Sequence, residues 1–202
     1  MFVLDIGCGK DWTKWITLLE KGEIDGVTCV DSGYPEKLSI PEVGLHLIRQ
    51  DIFRYLETLS ARSAELIYAE RVFEHISYDQ ISYLLYLLYE CSVEGAELVI
   101  TVPDFGQVGK SIIDMDHISD LSPQFFNKWM IDVHTEIFNT KEDPHQSIWT
   151  IPLARYYIEL EDYWELNSWK QISRDNRDWY IEFRAKSTRK TIELNDIKRK
   201  DV

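Results

Sequence analysis

The chain has 202 residues and is short of the features that would tie it to several common functions. Its three cysteines, Cys8, Cys29 and Cys91, show no metal-ligand spacing, and an odd count argues against a disulfide framework. That usage suits a reducing, cytoplasmic location. No apolar run approaches the roughly 20 residues a membrane helix needs, and no leader peptide is visible, so membrane association is not expected. Basic residues are scarce: 22 Lys and Arg stand against 35 Asp and Glu, for a net charge of −13. Such a surface repels phosphate backbones, so general nucleic-acid binding is not expected. Internal repeats and low-complexity stretches are absent. What remains is 45% apolar and 13% aromatic residues in a length that suits one sizeable core. Residues 1–186 are expected to form a single domain and 187–202 a basic, solvated tail.

Over the first two-thirds, strands alternate with helices. Strands are expected at Phe2–Ile6, Val27–Val30, Leu45–Arg49, Ala64–Ala69 and Glu97–Val102. Helices are expected at Trp12–Glu20, Phe53–Leu59 and Tyr78–Cys91, the last with Ile81, Leu84, Leu85, Leu88 and Cys91 on one face and a stop at Glu94-Gly95. That alternation predicts a doubly wound, mostly parallel α/β sheet. It breaks over residues 104–150, where only a helix near Pro123–Val133 is suggested. A helix over 151–162 follows. Two further strands, Trp164–Ile172 and Trp179–Ala185, are joined by the polar turn 173–178. They form an antiparallel hairpin and bring the expected count to seven strands.

The densest chemistry lies at the start, in Phe2-Val3-Leu4-Asp5-Ile6-Gly7-Cys8-Gly9. A buried strand ends in an acid and two glycines, then feeds a helix. Gly7 and Gly9 let backbone N–H groups approach a ligand, and Asp5 sits at the C-terminal strand end, where open α/β sheets bind ligands. A dinucleotide fingerprint needs a third glycine at position 12, which is Trp12. A nicotinamide-dependent dehydrogenase is disfavoured for that reason, and by the terminal hairpin. Asp5 also suits a cationic ligand better than a pyrophosphate. Asp31 closes the second strand, where a carboxylate can accept hydrogen bonds from both hydroxyls of a ribose. Asp51 follows the third strand and could equally cap a helix.

Val3-Leu4-Asp5-Ile6-Gly7-Cys8-Gly9 resembles motif I of the class I S-adenosylmethionine-dependent methyltransferases, although Asp11 stands where many members carry another glycine. Ala69-Glu70-Arg71-Val72-Phe73-Glu74-His75-Ile76 is similar to the family's segment ending leucine-Glu-His-Ile, with Phe73 in place of the leucine. The resemblance implies a Rossmann-like methyltransferase fold and S-adenosylmethionine as cofactor. It implies that Asp5, Ile6, Gly7, Cys8 and Gly9 form the cofactor loop. Asp31 would take the ribose with Ser32 beside the adenine. Asp51 would take the adenine amino group while Ile52 packs on the ring, and Ala69 and Glu70 would lie under the methionine portion. The family's DNA amino-methyltransferase signature, Asp/Asn-Pro-Pro-Tyr/Phe, is absent after the fourth strand.

The acceptor side is less legible. A methyl carried on a sulfonium is already electrophilic, so the reaction needs alignment, and a base only for a protonated acceptor. His75, Asp104, His117 and His145 are the candidates for one. With no residues ahead of the first strand to cover the cofactor, the insert 104–150, an oligomer or a partner chain is expected to do so. The Asp and His residues of the insert match no dedicated metal motif, and no metal site is expected. Gly106–Ser111 hints at a phosphate loop, but Asp104 stands where its first glycine would be. His145-Gln146-Ser147-Ile148-Trp149-Thr150 resembles a His-x-x-x-Trp-Thr segment ahead of the sixth strand in small methyltransferases. The implied function is methyl transfer to a small-molecule or saccharide acceptor. The alternative is a non-catalytic module that binds the cofactor within a larger assembly.

Overall fold

The computed structural model describes residues 1–9, 12–33, 38–40, 43–59, 62–106, 145–174 and 177–188. In chain order the elements are β1 (Phe2–Ile6), α1 (Thr13–Glu20), β2 (Gly26–Val30), β3 (Leu38–Ile40), β4 (Leu45–Ile48), α2 (Ile52–Thr58), β5 (Ala64–Glu70), a 3₁₀ turn (Phe73–His75), α3 (Tyr78–Cys91), β6 (Ser92–Pro103), α4 (Ile151–Glu159), β7 (Trp164–Arg174) and β8 (Arg177–Ser187). The helix expected near Pro123–Val133, and residues 189–202 of the expected tail, lie outside the described residues.

The strands form one sheet in the order β3-β4-β2-β1-β5-β6-β8-β7. β4, β2, β1, β5 and β6 are parallel, and β8 and β7 follow as the antiparallel hairpin. The seven expected strands are joined by an eighth, β3, three residues that pair antiparallel with Leu45–Leu47 at the sheet edge. It falls in the stretch between Pro35 and Pro41, too short for alternation to reveal. One other boundary differs. The helix stop expected at Glu94-Gly95 does not operate: α3 ends at Cys91 and β6 starts at once, taking Glu94 and Gly95 into the strand. Gly95 has φ +69°, and the β5–β6 register shifts between Ala64 and Leu66, so this glycine serves a strand irregularity rather than a helix stop.

Alternation along β1 sends side chains to both faces. Leu4 and Ile6 join the larger core with Leu56 of α2, Ile81, Leu84 and Leu88 of α3, and Ile158 of α4. Val3 joins a second core with Trp15 of α1, Val27, Cys29 and Leu45. Helices thus cover both faces, as parallel strands require. Ile6 pairs with Val30 and Ala69, Val30 with Ile48, and Ala69 with Ile100. The five parallel strands therefore end in line, and the segments after them leave from one edge.

Candidate functional site

The turn after β1 is locked from below. Gly7 has φ +70°, and its N–H donates to the Val30 carbonyl at 2.7 Å. A Cβ there would lie 2.2 Å from Cγ2 of Val72, so the residue is glycine for packing as well as conformation. Gly9 has φ +53°, and a Cβ on it would meet nothing within 4 Å among the described residues. The two glycines therefore do different work: Gly7 seats the turn on the 70–75 segment, and Gly9 has no described residue over it.

Asp31 ties this turn to the next strand. Its Oδ2 accepts from Gly9 N–H at 3.0 Å and its Oδ1 from Gly33 N–H at 2.6 Å. A carboxylate has about four acceptor sites, so both oxygens keep capacity for further donors. Ser32 lies exposed in the same turn. Asp51 caps α2: its Oδ1 accepts from Arg54 N–H at 3.1 Å. Ile52, the first residue of that helix, packs against the larger core. Ile6 and Ala69 are fully buried, so only their backbones face the strand ends, and Cys8 is buried beside Asp5 and Cys29.

Asp5 is fully buried. Its Oδ2 accepts from the indole Nε1 of Trp15 at 2.6 Å and lies 3.4 Å from the Lys14 ammonium, while Oδ1 has no hydrogen-bond partner among the described residues. Burial raises its pKa to about 6, against the opposing pull of Lys14 and the Trp15 bond. Lys14 also pairs with Glu70 at 3.3 Å and lies 4.1 Å from the centre of the Tyr68 ring. In sequence, Lys14 and Trp15 of α1 look like an exposed cation and a core aromatic. Helical spacing alone does not say that both turn toward Asp5.

The other wall is assembled from distant segments. Arg71, just past Glu70, sits at φ +58°, an unusual conformation for a non-glycine residue, with its N–H bonded to the Thr101 carbonyl at 2.8 Å. The 3₁₀ turn follows. Both Gln146 and Ser147 donate their N–H groups to the Glu74 carbonyl, at 2.7 and 3.0 Å, and Ser147 Oγ donates to the Phe73 carbonyl at 2.8 Å. Trp149 donates its Nε1–H to Ser147 Oγ and packs edge-on against Phe73. Tyr78 accepts from Ile148 N–H through its hydroxyl, which also donates to the Ile148 carbonyl.

These contacts bring His75 and His145 together, with ring centres 4.9 Å apart and planes at 74°. Asp104 is buried just beyond β6 and accepts from Gln171 Nε2 at 3.0 Å, and neighbouring Phe105 donates its N–H to the Trp149 carbonyl at 3.3 Å. The three acceptor-side candidates, His75, Asp104 and His145, are thus carried on segments joined through residues 146–149, while His117 lies outside the described residues. A cavity of about 230 Å³ opens at the opposite edge of the sheet, lined by Phe2, Gly26, Gly44, His46, Tyr55 and Cys91. Those residues cluster around the strand starts, away from the glycine turn.

No protein-family model and no curated protein matches the chain. Solved structures do. A SAM-dependent methyltransferase from Archaeoglobus fulgidus matches with a TM-score of 0.55 and 15% identity over 92% of this chain and 86% of that one. A 1,6-didemethyltoxoflavin-N1-methyltransferase from Burkholderia thailandensis, solved with its substrate and S-adenosylhomocysteine, matches at 0.58 and 14% over 93% and 71%. The plantazolicin methyltransferase BamL, also solved with S-adenosylhomocysteine, matches at 0.58 and 10% over 93% and 77%. With the sheet order and the glycine turn, these matches define the chain's architecture as the Rossmann-like fold of class I methyltransferases.

Proposed function

We propose that the protein binds S-adenosylmethionine at the glycine turn and transfers its methyl group to a small-molecule or saccharide acceptor. The observation that carries this is the pairing of an open backbone position at Gly9 with two carboxylates suited to opposite ends of that ligand. Asp31 holds the Gly9 and Gly33 amides and keeps acceptor capacity for ribose hydroxyls. Asp5 presents a buried oxygen with no hydrogen-bond partner among the described residues, the kind of acceptor an ammonium group completes. Asp51, with Ile52 beside it, serves the adenine while capping α2, and Ala69 and Glu70 border the methionine portion. Cofactor-bound relatives of this fold, two of them acting on small molecules by their names, fit the same reading.

When bound, S-adenosylmethionine supplies a methyl group on a positively charged sulfur, so the protein's task is orientation. Asp31 and Asp5 fix the two ends of the cofactor, and Lys14, bridging Asp5 and Glu70, sets the charge balance beside it. Asp104, His75 and His145 form the facing wall, where an imidazole or carboxylate can take the proton of a hydroxyl acceptor.

Calorimetry tests the cofactor assignment. S-adenosylmethionine and S-adenosylhomocysteine should bind, and NAD should not. Asp31→Ala should weaken binding by about 1–3 kcal/mol through loss of a charged acceptor. Binding of NAD in place of the two sulfur compounds would overturn the assignment.

A further inference from the structure

Among the described residues, two groups of metal-type donors lie at the C-terminal edge of the sheet. Asp5, Cys8 and Cys29 form one, all buried beneath the glycine turn. The adjacent Cys8 and burial push the Cys29 thiol up, away from the thiolate a metal requires, so this group reads as the floor of the cofactor site. Glu74, His75 and His145 form the other, each offering a donor atom, with all three atoms within 4.8 Å of one another. We propose that Glu74, His75 and His145 form a binding site for one divalent transition-metal ion, on the acceptor side of the cleft.

The donor set suits such an ion. Two imidazoles and one carboxylate leave coordination positions open, the pattern of catalytic zinc and non-haem iron sites. Bonds of about 2.0–2.2 Å place the donors of a tetrahedral ion roughly 3.4 Å apart. The observed spread closes to that by movements of about an ångström, and the terminal torsions of His and Glu are soft. The His75 and His145 rings meet at 74° rather than stacking, so modest rotation turns a nitrogen of each toward a shared point.

The scaffold is also built. Glu74 and His75 are successive residues of one 3₁₀ turn, and His145 directly precedes the two amides that bond to the Glu74 carbonyl. The residue that supplies the carboxylate therefore also holds the stretch of chain that supplies the second imidazole. Burial is graded across the set: Glu74 is sealed, while both histidines are half-buried. The histidine side leaves room for an incoming ligand. Sequence spacing could not show this, because His145 stands 70 positions after His75 and only the folded chain joins them. Metal binding stands on these residues alone. That the ion's open positions take an oxygen of the methyl acceptor, a hydroxyl or carboxylate, rests on the methyl-transfer reading.

The test uses the full chain, stripped with a chelator and titrated with Zn²⁺ by calorimetry, with metal content measured after gel filtration. One ion per chain is expected, and Co²⁺ should give the visible absorption of a low-symmetry nitrogen–oxygen site. His145→Ala and His75→Ala should each weaken Zn²⁺ binding by about tenfold or more. Glu74→Gln is followed by circular dichroism because the residue is sealed, and the half-buried His145 carries the test if that variant unfolds. S-adenosylhomocysteine binding should survive in His145→Ala, which separates this proposal from the cofactor assignment. Failure of the wild type to retain Zn²⁺, or an unchanged affinity in His145→Ala, would overturn the site.

Discussion

The two walls of the proposed cleft are put together in different ways. On the nucleotide side, the proposed contacts come from the C-terminal ends of parallel strands and the segments that leave them. Gly9 follows β1, Asp31 follows β2, Asp51 follows β4, and the link from Gly9 to Asp31 spans 22 residues. On the acceptor side, residues 145–149 return to the 3₁₀ turn and the start of α3 through bonds spanning 70 and 74 residues. The first wall is a property of the βα unit, because strands of equal register present their ends together. The second is a property of this chain's tertiary packing.

The contrast is sharpest at the junction of the walls, where Gly7 meets Val72. Gly7→Ala should be the most damaging single change. The added methyl overlaps Val72, and φ +70° is costly for any residue with a Cβ. A loss of about 3–4 kcal/mol is expected in urea unfolding. A loss under about 1 kcal/mol would mean that the two walls are not pressed together there.

Asp5 tests the nucleotide side through pH. Its folded pKa of about 6 lies above the ordinary 3.8. The native state therefore holds a proton that the unfolded chain has lost across that window. The stability linked to this group is complete below pH 3.8 and falls as pH rises to about 6. The loss amounts to about 3 kcal/mol at neutral pH. Asp5→Asn should therefore raise the melting temperature of the ligand-free protein at pH 8 and change little near pH 4, while weakening cofactor binding. Ligand affinity of the wild type should rise with pH through the same window, as the carboxylate ionises. An Asn variant less stable at pH 8 would show that Asp5 serves the fold rather than the ligand.

Ser147 tests the acceptor side. It donates to the Phe73 carbonyl and accepts from Trp149. Ser147→Ala should cost about 1–2 kcal/mol and leave S-adenosylhomocysteine affinity within about twofold of wild type. A large loss of cofactor affinity would show that the walls are coupled, contrary to their separate construction.

How much the sequence disclosed follows the same division. The five parallel strands, α1 to α3 and the terminal hairpin were legible because periodicity and turn residues are local signals. The acids at the ends of β1, β2 and β4 are legible because the strands that carry them are. Three things were not. β3 is three residues of backbone pairing without a pattern. Gly95 resembles a helix stop until the register of β6 against β5 is known. The meeting of Glu74 with His145 depends on amide and hydroxyl bonds from Gln146 and Ser147, residues with no sequence signature of their own. Lys14 and Trp15 lie between these cases: their helix was foreseen, but their turn toward Asp5 was not.

If the glycine turn holds the ligand, Gly9→Ala must separate binding from folding. The new methyl meets no atom of the described residues within 4 Å, so the fold should survive with a loss of about 1–2 kcal/mol from the positive φ. Calorimetric titration with S-adenosylhomocysteine should show affinity reduced by about tenfold or more, since the methyl occupies space that the backbone leaves for the ligand. Unchanged affinity in a folded Gly9→Ala protein would place the ligand elsewhere.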